Sequence, residues 1–198
     1  MQEPGKWFLC LRFQLTERTC RAYNGSAESG EEKRDRMESG KMRVSFDLDE
    51  VLFVSPKTHK TEPELPFPLR NIYHERLRLG TPELIRELQK RGFEVWIYTS
   101  SFRTEKYIRR LFRCYGVRFD GIVNGQRHLK EVQGNKQTTL PQKLPNHYRI
   151  SLHVDDEDVI CSAAKQYGFR AFQLNAQDDN WKEKVLEVAD HIRQLGHY

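Results

Sequence analysis

From residue 42 onward, short apolar runs alternate with stretches in which apolar side chains recur every three or four positions. The runs at 43–48, 93–98, 119–123, 149–154 and 170–174 have the length and the β-branched and aromatic content of buried strands. Between them, the wider spacing predicts helices. In the first, Thr81 stands as N-cap with Pro82 in the first turn, Glu83 near the positive end of the helix dipole, and Lys90 and Arg91 near the negative end. Gly92 is its terminator, and Leu84, Ile85 and Leu88 form the stripe to be buried. A second helix is expected over about 103–115, with Tyr107, Ile108, Leu111, Phe112 and Tyr115 on one face and Gly116 after it. A third carries Val159, Ile160, Ala163, Ala164 and Tyr167 before Gly168, and a last one spans about 179–195. Alternation of strand and helix through five strands implies an α/β fold, a three-layer α/β/α Rossmann-like sandwich with a central, mainly parallel five-stranded sheet.

Three stretches fall outside that alternation. Residues 22–41 are mostly Gly, Ser and charged side chains, the composition of a disordered segment. Residues 1–41 are therefore expected to be a disordered extension, or not part of the native protein at all, because Met42 directly precedes the first strand. The domain is expected over 42–198. The segment 52–80, with Pro56, Pro63, Pro66 and Pro68, reads as a loop, as does 124–145, and neither is expected to fold as a separate domain.

Composition narrows the class. Of 198 residues, 37% are hydrophobic, and no apolar run approaches the roughly 20 residues that a membrane helix needs. Lys plus Arg number 33 against 28 Asp plus Glu, a net charge of +5. Such mild basicity permits an anionic substrate but is less than a dedicated nucleic-acid binder concentrates on one face. Cys10, Cys20, Cys114 and Cys161 form no C-x-x-C pair and have no histidine at ligand spacing, which argues against a zinc ribbon or a disulfide framework. The apolar stretch from Trp7 to Leu11 is interrupted by Arg12 and lacks a cleavage site, so a signal peptide is not expected. A reducing, cytoplasmic setting is the expectation.

In a parallel α/β sheet, functional groups gather at the carboxyl ends of the strands. The first strand runs out into Asp47-Leu48-Asp49-Glu50-Val51, and period-two alternation puts Asp47 and Asp49 on one side, about 6–7 Å apart. The second ends in Tyr98-Thr99-Ser100-Ser101, hydroxyls expected at a helix N-terminus, where backbone N–H groups attract anions. The fourth ends in Asp155-Asp156-Glu157-Asp158. Carboxylates gathered at one sheet end repel one another unless a cation sits among them or one keeps its proton. All are hard oxygen donors without a thiolate or paired imidazole, which favours Mg2+ over zinc or copper. A lysine completes a phosphate site, and Lys136 and Lys143 both lie just before the fourth strand.

These residues, in this order, resemble the haloacid dehalogenase-like (HAD) superfamily of phosphohydrolases. That family has an apolar strand ending D-x-D-x-[T/V], a strand ending in Thr or Ser, a Lys, and a strand ending in an acidic pair. Asp47-Leu48-Asp49-Glu50-Val51, Thr99 or Ser100, Lys143 or Lys136, and Asp155-Asp156 match it across 43–174. The resemblance implies a phosphatase acting on phosphate monoesters, with Asp47 as the nucleophile that becomes an aspartyl-phosphate and Asp49 as the acid and then the base. It implies Mg2+ held by the Asp47 carboxylate, the Asp49 backbone carbonyl and an acid from Asp155-Asp156, with Asp156 favoured. It gives Thr99, Ser100 and a lysine, preferably Lys143, the phosphoryl oxygens. Without a separate cap domain the enzyme would be capless or minimally capped, its site open or covered by a Pro-rich flap. That suits a phosphorylated small molecule or macromolecule, a nucleic-acid end included, and no membrane.

Plainer readings stand beside these. An isolated D-x-D is often polar loop or the metal motif of a nucleotide-sugar transferase. Thr99-Ser100-Ser101 could simply cap a helix, Asp155-Asp156-Glu157 could simply begin one, and a lone loop lysine is commonly solvated. Arg103, Lys106, Arg109, Arg110 and Arg113 read as a solvated basic face, with a polyanion track as the alternative. His59, His74, His128, His147 and His153 share no spacing and receive no role. Receiver domains also combine Mg2+, an aspartyl-phosphate, a hydroxyl and a lysine, but there the acidic pair comes first, whereas here it comes last. A binding or scaffold protein on a decayed phosphatase fold is a further alternative, disfavoured because all four elements are present.

Overall fold

The computed structural model describes residues 40–134, 136–137, 140–175 and 178–195. The extension expected over 1–41 lies outside them except for its last two residues. Strands β1 (Arg43–Phe46), β2 (Glu94–Tyr98), β3 (Gly121–Val123), β4 (Ile150–Asp155) and β5 (Ala171–Gln173) form one sheet in the order β3-β2-β1-β4-β5, and every pairing is parallel. The order places β1 at the centre, between β2 and β4. The chain therefore returns to the carboxyl ends of these three strands to build a site.

Side-chain alternation sorts the two faces. Val44 and Phe46 of β1, Val95 and Ile97 of β2, and Leu152 and Val154 of β4 share one core with helices α1 (Thr81–Lys90), α2 (Glu105–Cys114) and α5 (Trp181–Leu195). On the opposite face, Tyr98 and Val123 pack with Val132 and Tyr148, and α4 (Asp158–Tyr167) contributes Ile160 and Ala164 to a separate cluster. The result is the three-layer α/β/α sandwich that the alternation of elements predicts. One irregularity matters. Arg43 pairs with Ile150 but Val44 with Leu152, so β4 carries an extra residue there. That bulge lets Ile150 join the Tyr98 cluster while Leu152 faces the other way.

Several boundaries differ from those expected. The first run ends as a strand at Phe46, because the N–H groups of Leu52 and Phe53 both turn back to the Leu48 carbonyl, at 2.9 and 2.6 Å. The N-cap of α1 is Gly80, at φ 88°, a conformation open to glycine; Thr81 is already helical, and its hydroxyl donates to the Arg78 carbonyl at 2.7 Å. Helix α2 begins later than expected, capped by Thr104, whose hydroxyl accepts from the Tyr107 N–H at 3.2 Å. Of the apolar residues of α4, Ile160 and Ala164 are buried and Val159 is exposed.

The segment 52–80 holds one 3-10 turn, Leu69–Asn71, and is pinned at its base by bridges between Phe53 and Leu77 and between Thr61 and Arg78. The expectation of a loop over 124–145 is corrected. Asn124 caps α3 (Gly125–His128), which runs on as a π-helical turn over Leu129–Gln133, and Pro145–Tyr148 forms a 3-10 turn. No helix among the described residues is long and apolar enough to cross a membrane.

Candidate active site

Asp47 is the first residue past β1, and its N–H still bonds the Val154 carbonyl at 3.0 Å, which fixes it beside the end of β4. Alternation turns its side chain to the same face as Ser45, His153 and Asp155. There Asp47, Asp155 and Asp156 bring carboxylate oxygens within 4.8 Å of one another. Lys143 reaches into this trio from the segment before β4. Its ammonium lies 2.5 Å from Asp155 Oδ2 and 3.1 Å from Asp47 Oδ1, with 1% of the side chain exposed. Lys136 is exposed and its backbone bonds Gln133, so it does not enter the group.

The partners of Asp155 fill its carboxylate. Oδ2 takes Lys143 and the His153 Nε2–H at 2.9 Å, and Oδ1 accepts the Glu157 N–H at 3.0 Å. Nδ1 of His153 lies 2.8 Å from Ser45 Oγ, a hydroxyl that can either accept from it or donate to it. Burial opposes ionisation of Asp155, but the His153 hydrogen bond, the His153 charge and Lys143 outweigh it and hold the carboxyl at about 2. Asp47 goes the other way. Its burial outweighs the attraction of Lys143, with Asp155 adding repulsion, and its pKa is raised. Burial likewise opposes the charged form of Lys143, yet Asp47 and Asp155 together raise its pKa and keep the ammonium protonated.

Asp47 Oδ1 is buried and has no hydrogen-bond donor, since Lys143 approaches it at ion-pair distance but outside hydrogen-bonding geometry. A buried carboxylate oxygen left without a donor is costly unless something electropositive meets it. Three hard oxygen donors around it fit Mg2+. Asp155 is already committed to Lys143, His153 and Glu157, which leaves Asp156 the freer of the acidic pair for such an ion.

Asp49 lies apart from that trio. Past Asp47 the chain turns sharply, with Glu50 in the left-handed region at φ 57°, so strand alternation no longer sets the direction of Asp49. Its carboxylate is exposed and accepts from Arg103 Nη1 at 2.8 Å. Thr99 is buried at the end of β2 and its hydroxyl accepts the Ser101 N–H at 3.1 Å, while Ser100 is exposed. Because Thr104 caps α2, the hydroxyls at 99–101 are not spent on capping. The Gly125 N–H bonds the Ser101 carbonyl at 2.9 Å, and a Cβ on Gly125 would lie 2.4 Å from the Ser100 carbonyl oxygen.

Three of these participants escaped the sequence reading. Arg103 was assigned to a basic helix face, but it precedes α2 and turns into the site. His153 and Ser45 were passed over, although a signal existed: polar residues at alternate positions inside strands buried on both faces. His128 is also buried, 2.6 Å from the Tyr98 hydroxyl through Nδ1.

No protein-family model matches the chain, and a search among curated proteins finds no match. Solved structures that resemble it include HAD hydrolases. One, a subfamily IA hydrolase from Geobacter sulfurreducens, is 15% identical over 75% of this chain and 99% of its own, with a TM-score of 0.47. A HAD family enzyme from Bacteroides thetaiotaomicron, solved with magnesium and inorganic phosphate, is 12% identical over 71% of this chain and 97% of its own, at 0.43. The HAD domain of the effector Lem4 from Legionella pneumophila gives 14%, 76%, 93% and 0.44 in the same order. Likeness at this level leaves the chemistry to be argued from the site itself.

Proposed function

We propose that this chain is a Mg2+-dependent phosphatase of the HAD type, hydrolysing a phosphate monoester through an aspartyl-phosphate. The observation that carries the reading is the buried Asp47 carboxylate at the end of the central strand, facing Lys143 and two further acids. Asp47, Asp156 and the Asp49 backbone carbonyl would hold the ion, with Asp155 behind them. Bound there, Mg2+ supplies positive charge that lets an anionic nucleophile and an anionic phosphoryl group approach each other.

The protein's own groups do the rest. Lys143 and the hydroxyls of Thr99 and Ser100 orient the phosphoryl oxygens and offset their charge. An Asp47 oxygen attacks phosphorus, and the bond to the ester oxygen breaks as that oxygen takes a proton from Asp49. Asp49, now a carboxylate, removes a proton from water. The water oxygen attacks the phosphorus of the acyl phosphate, releasing inorganic phosphate and restoring Asp47. Asp155, held by Lys143 and His153, keeps the lysine aimed at the reacting group.

The test is hydrolysis of an aryl phosphate with Mg2+, with EDTA and by Asp47→Asn. Chelation and the substitution are each expected to abolish turnover. Activity indifferent to both would sink the mechanism, and a stable phosphoprotein without turnover would mark a receiver-like phospho-acceptor instead.

A further inference from the structure

The Asp49 carboxylate is exposed and sits on a turn rather than a strand, which is a poor mounting for a group that must meet a leaving oxygen within hydrogen-bond reach. What restrains it is Arg103. Nη1 of Arg103 bridges Asp49 Oδ2 and Ser101 Oγ, each at 2.8 Å, and Nε donates to Glu75 Oε1 at 3.1 Å. The Tyr107 hydroxyl donates to the other Glu75 oxygen. The guanidinium carbon lies 5.4 Å from the centre of the Phe53 ring. The Arg103 backbone is tied as well, its carbonyl accepting from Asn124 Nδ2 at 2.9 Å and its N–H donating to Ser101 Oγ at 3.2 Å.

An isolated surface ion pair is worth little, because two long side chains must be ordered to make it. Here the ordering of Arg103 comes from contacts that do not involve Asp49. They come from the 52–80 segment, from the loop after β2, from α2 and from the cap of α3. The guanidinium fork is thus preset, and Asp49 meets a fixed donor.

We propose that Arg103 is a positioning residue for Asp49, and that Glu75 and Tyr107 are its supports. This makes the 52–80 segment a working part of the site, because it contributes Glu75. The proposal rests on the phosphatase reading and on Asp49 as proton donor.

A donor to the leaving oxygen matters in proportion to the basicity of that oxygen, which gives a readout that simple loss of folded protein does not move. The quantity to follow is kcat/KM for an activated ester, dinitrophenyl phosphate, divided by that for an unactivated alkyl phosphate. Asp49→Asn sets the scale, since a general acid contributes about 10²–10⁴-fold. Arg103→Met is expected to raise the ratio at least about tenfold, by a smaller factor than Asp49→Asn. Arg103→Lys should recover part of the loss, and Glu75→Gln, which touches Arg103 but not Asp49, should shift the ratio in the same direction by less. In the Asp49→Asn background, Arg103→Met should change the ratio no further. An unchanged ratio in both Arg103→Met and Glu75→Gln, with Asp49→Asn shifted, would overturn the positioning role. So would a ratio that falls, which would mean that the ion pair holds Asp49 as a carboxylate and opposes its proton donation. Activity that survives Asp47→Asn, by contrast, would defeat the underlying phosphatase reading.

Discussion

Lys143 is the residue on which the acidic trio depends before any ion arrives. A fully buried ammonium between Asp47 and Asp155 is tolerable only because both carboxylates meet it, and removing it leaves like charges facing each other. Lys143→Met is therefore expected to destabilise the metal-free protein by about 3 kcal/mol, a fall in Tm of roughly 6–12 °C for a domain of this size. A Tm unchanged by the substitution would show that the site does not strain the fold. His128 offers a separate titration, far from the acids in sequence. Tyr98 Oη accepts the Leu144 N–H at 2.8 Å and gives its hydrogen to His128 Nδ1, which needs the neutral ring. Burial, with a smaller contribution from His147, lowers the His128 pKa. A histidine depressed in the folded state contributes stability that is complete above its unfolded pKa of about 6.5 and is lost as the pH falls toward the folded value. Thermal melts between pH 7.5 and 5.5 should therefore show a steeper loss for the wild type than for His128→Asn, which keeps an acceptor without the titration. Parallel slopes would refute this. At this scale the convergence of Asp47, Asp155 and Asp156 was legible because they stand at the ends of adjacent strands. Lys143 was preferred over Lys136 for its closeness to the fourth strand, but its burial among the acids is seen only in the fold, as is the direction of Arg103.

Among the elements, the strands were legible as runs and less so at their ends, where backbone bonds to a neighbour decide the boundary. Leu48 reads as strand by composition, but its carbonyl is claimed by the turn that follows. The helix over 125–133 was missed because just three of its positions, Gly125, His128 and Val132, are buried, too sparse a stripe to stand out from loop. Its first residue nonetheless packs directly on the loop that carries Thr99 and Ser100. The backbone approach there leaves no room for a side chain, and the obstruction is the Ser100 carbonyl rather than a movable side chain. Gly125→Ala is expected to cost about 1–3 kcal/mol and to displace Ser100 and Thr99 together, raising KM for the phosphate ester. A variant with normal KM would separate the helix start from the site.

For the whole molecule, the sheet order and the acidic trio would couple the proposed ion binding to folding. Carboxylates brought together by β1 and β4 exist as a cluster only in the native state, so an ion bound to them stabilises it by RT ln(1 + [L]/Kd), about 2.7 kcal/mol at one hundred times Kd. Millimolar Mg2+ should raise the Tm of the wild type and do so much less for Asp156→Asn. Equal shifts in both would place the ion elsewhere. Fold class was readable because alternation of elements leaves few topologies. The local pairing of strands was not, and one detail of it has a wide reach. The extra residue near the start of β4 separates the phase of the strand's two halves: Ile150 looks toward Tyr98, and Asp155, five residues on, looks toward Lys143. A single-residue deletion at Ser151 would leave Ile150 and Asp155 four residues apart, where an unbroken zigzag still keeps both on one face, whereas a deletion past the bulge, at His153, would turn Asp155 away from Lys143. Tolerance of a one-residue deletion in this strand should accordingly be greatest at its start, where the bulge already holds a spare residue, and least between the bulge and the acid it aims.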